Sequence, residues 1–307
     1  MHIVHLYDGH EKVYEGRGSV PGVVWNVAKE TVTRDHDVTV LERQWDGLQK
    51  STTHDDVRFE RLSLVTGADQ PWERVPYEEV TTVRGLSKLI LDRANFARAS
   101  LKHLKTIDFD ILHVHLPLAA NVLLTVAPRF RKRTVFTAHL GELRLDLLDS
   151  GEEDGSPSHS DQKRAEKSEP DVPGFLSRFS PDRYLATRVE RTTVLNEQIK
   201  KAFVDRGIAE DRLTVIPNGV DINRFANVSS DRINAVRASY GIGERPLVLF
   251  VGTIMPRKGV LELVRAISSM VSEYNQTPQV IIAGERDLDE DYTQTVEDLI
   301  HDEGLEE

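Results

Sequence analysis

The sequence predicts an α/β protein built from two Rossmann-like domains, and three observations predict it. Short β-branched runs alternate with amphipathic helical stretches from the start of the chain, the pattern of a parallel sheet covered on both faces. A glycine-bearing segment, Gly16 to Gly22, joins the first such run to the first helical stretch. After Pro217-Asn218-Gly219 the alternation begins again with a near-continuous apolar run, Leu247 to Val251. At about 150 residues per domain, 307 residues suggest two domains, placed here at 1–219 and 220–307.

The elements follow in order. His2 to Tyr7 reads as the first strand, and Val20 to Asp35 as a helix with Val23, Val24, Val27, Ala28 and Val32 on one side. Asp37 to Leu41 is the second strand. A long helix over 84–105 carries the apolar stripe Leu86, Leu89, Ile90, Ala94, Ala97, Leu101 and Leu104. It feeds a strand at Ile111 to Val114, followed by strands at Thr134 to Thr137, Thr192 to Leu195 and Leu213 to Ile216. Residues 150–174 are polar and rich in Gly, Pro and Ser without periodicity, which reads as a mobile surface loop carrying no chemistry. In the second domain a helix over Val260 to Tyr274, a strand over Val280 to Ala283 and a helix from Tyr292 to His301 are expected.

Composition excludes several function classes. With 39% hydrophobic and 29% charged residues the chain is neither disordered nor fibrous. Fifty acids against 39 bases leave a formal charge of −11, and residues 220–307 hold 16 of the acids against 8 bases. Such a chain has no general attraction for a phosphate backbone, so nucleic acid is not an expected partner. Lysine is scarce, and with the acid excess this hints at a high-salt interior where self-repulsion is screened. The absence of cysteine removes disulfide scaffolds, thiolate metal sites and cysteine nucleophiles together. No apolar run approaches the roughly 18 residues of a spanning helix, and Met1 leads straight into HIVHLY, so a cytoplasmic location is expected.

The motifs come in a fixed order. A strand precedes Gly16-Arg-Gly18-Ser-Val-Pro-Gly22; Asp108-Phe-Asp110-Ile-Leu-His113-Val-His115 comes next, then Thr134-Val-Phe-Thr-Ala-His139-Leu-Gly141. Val215-Ile-Pro-Asn218-Gly219-Val-Asp221 with Phe225 is the fourth, and Phe250-Val-Gly252-Thr253 followed by Pro256-Arg257-Lys258-Gly259 the fifth. In this order and spacing the chain resembles the retaining glycosyltransferases of family 4 (group 1), which have the GT-B fold. The resemblance implies transfer of a hexose or related sugar from a nucleotide-diphosphate donor to an acceptor with retention of configuration. In its front-face mechanism the departing phosphate oxygen takes the acceptor proton, so neither an enzymic nucleophile nor a metal or other cofactor is needed. It also implies that the second domain is incomplete: the family's later strands, its Glu-x7-Glu motif and its returning helix are missing. The chain then reads as the N-terminal portion of such an enzyme, through truncation, a split gene or an incomplete reading frame, with a complementing C-terminal half as a candidate partner.

Each candidate residue has a bland reading beside the sharp one. Developing charge on a departing diphosphate needs fixed positive groups, and Lys258, after a strand and at a helix start, is the expected diphosphate lysine. The family's arginine directly after the strand glycine Gly252 is replaced here by Thr253, with Arg257 as a partial substitute; solvated surface is the alternative for such bases. Gly16 and Gly18 permit close backbone approach to a phosphate or sugar but serve a plain turn equally well, and only the resemblance favours Gly18 as donor-binding. His139 follows a strand, and the resemblance places it near the donor sugar; a histidine satisfied in a strand-end turn is the alternative. His113 and His115 share a strand face, with His115 read as acceptor-side or structural. No third or fourth ligand is apparent beside them, so no metal site is read.

Asp108 and Asp110 are read as the polar start of a strand. Asn218 and Gly219 are expected to turn the chain between domains, Gly supplying a positive φ, and to act as a hinge. The helix over 84–105 carries six bases and one acid, a net +5 that suits an anionic lipid surface or a lipid-linked acceptor, although a solvated face is the plainer reading. Glu42, after the second strand, keeps an NAD-dependent oxidoreductase or a nucleotide-sugar epimerase open as rivals. A non-catalytic fragment that binds acceptor or partner is the other.

Overall fold

The computed structural model describes residues 1–16, 18–64, 83–139, 180–243, 245–274, 278–286 and 290–306, and the segment expected as a mobile loop at 150–174 lies outside these. The chain divides into two compact units, Met1–Gly219 and Val220–Glu307.

The first unit is an eight-stranded sheet. Its strands are β1 (His2–Leu6), β2 (Asp37–Arg43), β3 (Ser51–His54), β4 (Val57–Leu62), β5 (Ile111–Val114), β6 (Thr134–Ala138), β7 (Arg191–Val194) and β8 (Leu213–Val215). Their spatial order is β3-β4-β2-β1-β5-β6-β7-β8, every pairing parallel except the antiparallel β3–β4 hairpin at the edge. The crossovers carry α1 (Ser19–Val32), α2 (Val83–Leu104), α3 (Pro117–Val126), α4 (Pro181–Ala186) and α5 (Glu197–Asp205). The hairpin is absent from the expectations above. Its signal is the alternation of Val57 and Phe59 with Arg58 and Glu60 after Asp55-Asp56, both of which sit at positive φ.

Strand alternation distributes the apolar residues to two cores. Along β2, Val38 and Val40 join Tyr7, Val24, Ala28 and Phe59 in a smaller cluster, while Leu41 joins Val4, Leu6, Phe96, Leu112, Val114, Leu123 and Phe136 in a larger one. On α2 the inward side includes Leu89, Phe96, Ala97 and Leu104. Ile90, expected within the apolar stripe, is instead exposed beside Leu91.

The second unit contains α6 (Ile222–Ala226), α7 (Ser230–Ser239), β9 (Leu247–Val251), α8 (Val260–Tyr274), β10 (Gln279–Ala283) and α9 (Glu290–Asp302). β9 and β10 pair in parallel, and Ile254, Val260, Val264 and Val296 form a core with Phe250, Ile282 and Tyr292 against it. The outward side of β9 is uncovered among the described residues: Leu249 is 57% exposed and Val251 75%.

Asn218 and Gly219 lie in a stretch without regular structure or turn after β8, and Gly219 is not among the positive-φ glycines. The expected tight turn there is therefore corrected: the backbone runs on without one, and glycine's left-handed freedom is not used.

Candidate active site

Loops at the carboxyl ends of β1 and β2 are anchored by buried charge. Asp8, two residues past β1, accepts the Ala119 amide at the start of α3 (3.2 Å) and pairs with Arg93 (3.3 Å). Arg93 also binds Asp92 (2.6 Å), which Arg43 grips through two bonds of 3.2 and 2.7 Å. Burial pushes the Asp8 carboxyl up, with Arg93 pulling the other way. Of the six bases over 84–105, Arg93, with the acid Asp92, belongs to this interior network and not to the surface. The solvent face keeps Arg84, Lys88, Arg98, Lys102 and, just past the helix, Lys105.

Glu42 is equally committed. One oxygen accepts the Val13 amide (2.8 Å) and the other pairs with Arg61 (2.9 Å), with the carboxylate fully buried. Both oxygens are spent on structure, so the residue that kept a dinucleotide reading open holds the loop in place instead. Burial raises its pKa against these two stabilising contacts.

The glycine loop closes on itself. A Cβ on Gly16 would stand 2.1 Å from the Lys12 carbonyl oxygen, so this position excludes every side chain. Gly18 is the N-cap of α1, and its amide donates to Glu11 at 2.7 Å. The close approaches are thus to the loop's own atoms, and a carboxylate already occupies the amide at the helix start.

Four imidazoles gather on the sheet face opposite the larger core. Register sets His5 of β1 beside His113 of β5, and alternation adds His115 and, from the end of β6, His139. His5 Nδ1 lies 2.9 Å from His115 Nε2, His115 Nδ1 lies 3.1 Å from His139 Nε2, and His113 Nε2 lies 2.8 Å from the Thr137 hydroxyl. His5 and His115 are fully buried and His139 is 8% exposed. Desolvation pushes His5 and His115 well below the usual imidazole range, and His113 down to about 4.

The expectation that His113 and His115 lack a third ligand is corrected by His5, whose ring nitrogen stands within 4.8 Å of theirs. Any metal there would have to displace the hydrogen bonds that these rings now make. Asp108 and Asp110 serve the start of β5, as expected: Asp110 accepts the His2 amide (2.8 Å), and the Asp108 carbonyl faces His2 Nδ1 (2.6 Å).

In the second unit, β9 runs into Gly252 and Thr253. Gly252 N–H bonds the Ala283 carbonyl (2.9 Å) and Ile254 N–H that of Glu285 (3.0 Å), which holds the segment to the end of β10. Lys258 was expected at a helix start. It instead closes a separate 3-10 turn, Pro256–Lys258, which Gly259 at φ +70° links to α8. Gly259 there adopts a backbone that other residues reach only with strain. The Lys258 side chain is exposed, and the Arg257 side chain lies outside the described residues. Tyr292 takes the Leu261 amide at the start of α8 (3.2 Å). A cavity of about 520 Å³ in this unit is lined by Leu263, Ile267, Val271, Val280, Ile282, Ile300 and Leu305, and none of the expected site residues faces it.

Two parallel α/β units, with His115 and His139 just past the carboxyl ends of their strands and His5 and His113 on the same sheet face, fit an α/β protein of the GT-B type. A family model, Glycosyltransferase Family 4, matches residues 21–224, and the chain belongs to that family. The Bacillus subtilis (strain 168) protein YtcC is 23% identical over 221 residues, which cover 70% of this chain and 47% of that one. A GDP-mannose-dependent alpha-(1-6)-phosphatidylinositol monomannoside mannosyltransferase of Mycolicibacterium smegmatis is 30% identical over 132 residues, 43% of this chain and 31% of its own. The structure of sucrose-phosphate synthase from Thermosynechococcus elongatus superposes with a TM-score of 0.69 at 18% identity, covering 100% of this chain and 68% of that one. The chain spans about half the length, or less, of the curated relatives it matches.

Proposed function

We propose that this chain acts in the transfer of a sugar from a nucleoside-diphosphate donor to an acceptor, with retention of anomeric configuration and without a metal or other cofactor. The observation that carries the reading is family membership over residues 21–224 together with His139 standing at the carboxyl end of β6. Lys258, the exposed cation that closes the 3-10 turn, is assigned to the diphosphate, together with Gly252, Thr253 and Arg257. Its charge would offset the negative charge that builds on the departing phosphate. His139 is assigned to the donor sugar, and Asn218 and Gly219 to a hinge.

A departing phosphate oxygen takes the acceptor proton in this scheme, so no nucleophile is asked of the protein. The rival oxidoreductase loses its ribose acid, because Glu42 is occupied by Val13 and Arg61. A lipid-linked acceptor is favoured by the mannosyltransferase relative, whose name specifies phosphatidylinositol monomannoside, and by the basic face of α2 with Ile90 and Leu91 exposed. Such an acceptor would place the protein in the cytoplasm at the inner face of a membrane; among the described residues no helix is long and apolar enough to cross one.

The test is a transfer assay with the chain alone and with a supplied C-terminal half, using UDP- and GDP-sugars and phosphatidylinositol or simple glycoside acceptors. Product with the donor's anomeric configuration supports the reading. Release of nucleoside diphosphate with an inverted product refutes retention. Binding of acceptor with no turnover under either arrangement favours a non-catalytic role.

A further inference from the structure

Residues 111–141 contain no acid, in a chain that holds 50 among its 307 residues. The stretch is basic where it reaches the surface: a 3-10 turn, Pro128–Arg133, directly follows α3 and carries Arg129, Arg131, Lys132 and Arg133. Arg188, after α4, joins the same patch. Its guanidinium donates to the Asn121 carbonyl (3.2 Å) and the Thr125 hydroxyl (3.0 Å) of α3 and lies 4.7 Å over the Tyr184 ring. Arg131 Nε donates to the Leu124 carbonyl (3.1 Å). Partial burial, and then the nearness of Arg131, lower the Arg188 pKa. Neutral oxygens thus hold two cations together at the end of α3, and neither is paired with an acid among the described residues.

Capping the helix dipole accounts for one such cation. It does not account for Arg129, whose guanidinium lies over the Phe130 ring, or for Lys132, both of which are exposed. Apolar side chains share the surface: Val126 on the last turn of α3 is 61% exposed, and Val122 one turn earlier and Tyr184 on α4 are exposed too. Cations alone suit any polyanion. Valines beside them gain nothing from a nucleic-acid backbone or a free phosphate, whereas at a bilayer apolar groups enter the headgroup boundary while bases meet lipid phosphates.

We infer that the end of α3, the turn Pro128–Arg133 and Arg188 form a docking surface for an anionic lipid bilayer. Arg131 and Arg188 receive a lipid phosphate, whose oxygens match the guanidinium fork, and Val126 enters the interface. The surface lies at the amino ends of β6 and β7, whereas His139 stands past the carboxyl end of β6, so docking leaves the proposed sugar site uncovered. α3 packs against α2, and this contact adds to the one proposed for the basic face of α2 without depending on it or on sugar transfer.

Sedimentation of the full chain at low salt with vesicles of phosphatidylcholine, alone or mixed with phosphatidylglycerol, tests the surface, with a DNA duplex as a polyanion that offers no apolar phase. Binding to the mixed vesicles only is expected. Arg129→Glu with Lys132→Glu should weaken it about tenfold or more, as reversing two bases near a charged membrane entails. Val126→Ser changes no charge and should weaken it by a smaller factor, about threefold. Circular dichroism checks that each variant keeps its fold. Absence of binding to the mixed vesicles, affinity unmoved by the Arg129 and Lys132 reversal or by Val126→Ser, or equal affinity for the duplex would overturn the inference. Binding that is lost in Arg98→Glu with Lys102→Glu but kept in these variants would leave the α2 contact standing alone and overturn this one. A chain that docks through these residues yet transfers no sugar leaves this inference standing and removes the functional reading instead.

Discussion

Burial holds the His113 imidazole down to about 4, against an ordinary value of 6.5. Between those two values the unfolded chain binds a proton that the folded chain does not. Stability therefore rises with pH across this window and is lost as pH falls through it. His113→Gln keeps a polar atom for Thr137 while removing the titration. Urea unfolding should show the stability difference between pH 7 and pH 4 shrinking by about 3 kcal/mol in the variant; an unchanged difference would show that His113 is not the proton acceptor. The charged network makes a second residue-scale claim. Asp92→Asn leaves Arg43 and Arg93 buried with a weakened partner, and a loss of about 3 kcal/mol or more in unfolding free energy is expected. A loss within about 0.5 kcal/mol would mean that water replaces the carboxylate. His139 and His115 were legible because each follows or lies within a recognisable motif. His5, Asp8, Arg43 and Arg61 were not, because their partners are fixed by strand register and helix packing across 19 to 111 positions of sequence.

At the scale of the element, α2 combines the two kinds of information that a helix can carry. Asp92 and Arg93 are its inward polar anchors, whereas Arg84, Lys88, Arg98 and Lys102 lie outside with Ile90 and Leu91. Vesicles containing phosphatidylinositol should sediment the protein at low salt and release it as ionic strength rises, since such binding weakens with screening. Arg98→Glu with Lys102→Glu should abolish the effect; equal binding to neutral vesicles would contradict it. Periodicity located this helix and the parallel strands, because 3.6-residue and buried-run patterns are strong there. It failed for the β3–β4 hairpin, whose four-residue strand is wholly polar and six-residue strand half polar, and for α7, which presents no consistent apolar face and buries none of its residues. Motif context placed Lys258 at a helix start, but Pro256 and Gly259 interrupt the backbone there and make a turn first.

For the whole molecule, the excess of acid lies in residues 220–307, the unit that carries the lysine assigned to the diphosphate. An exposed cation in an acidic setting is a poor site for nonspecific anions, so nucleotide affinity should depend strongly on Lys258 itself. The central claim is that this chain recognises a nucleoside diphosphate through that residue. Isothermal titration of the full chain with UDP, GDP and NAD, beside Lys258→Ala, tests it most directly. The account predicts saturable binding of at least one nucleoside diphosphate, none of NAD, and a loss of about 2 kcal/mol in the variant, as removing one charged hydrogen-bond partner entails. Saturable NAD binding, or diphosphate affinity unchanged by Lys258→Ala, would contradict it.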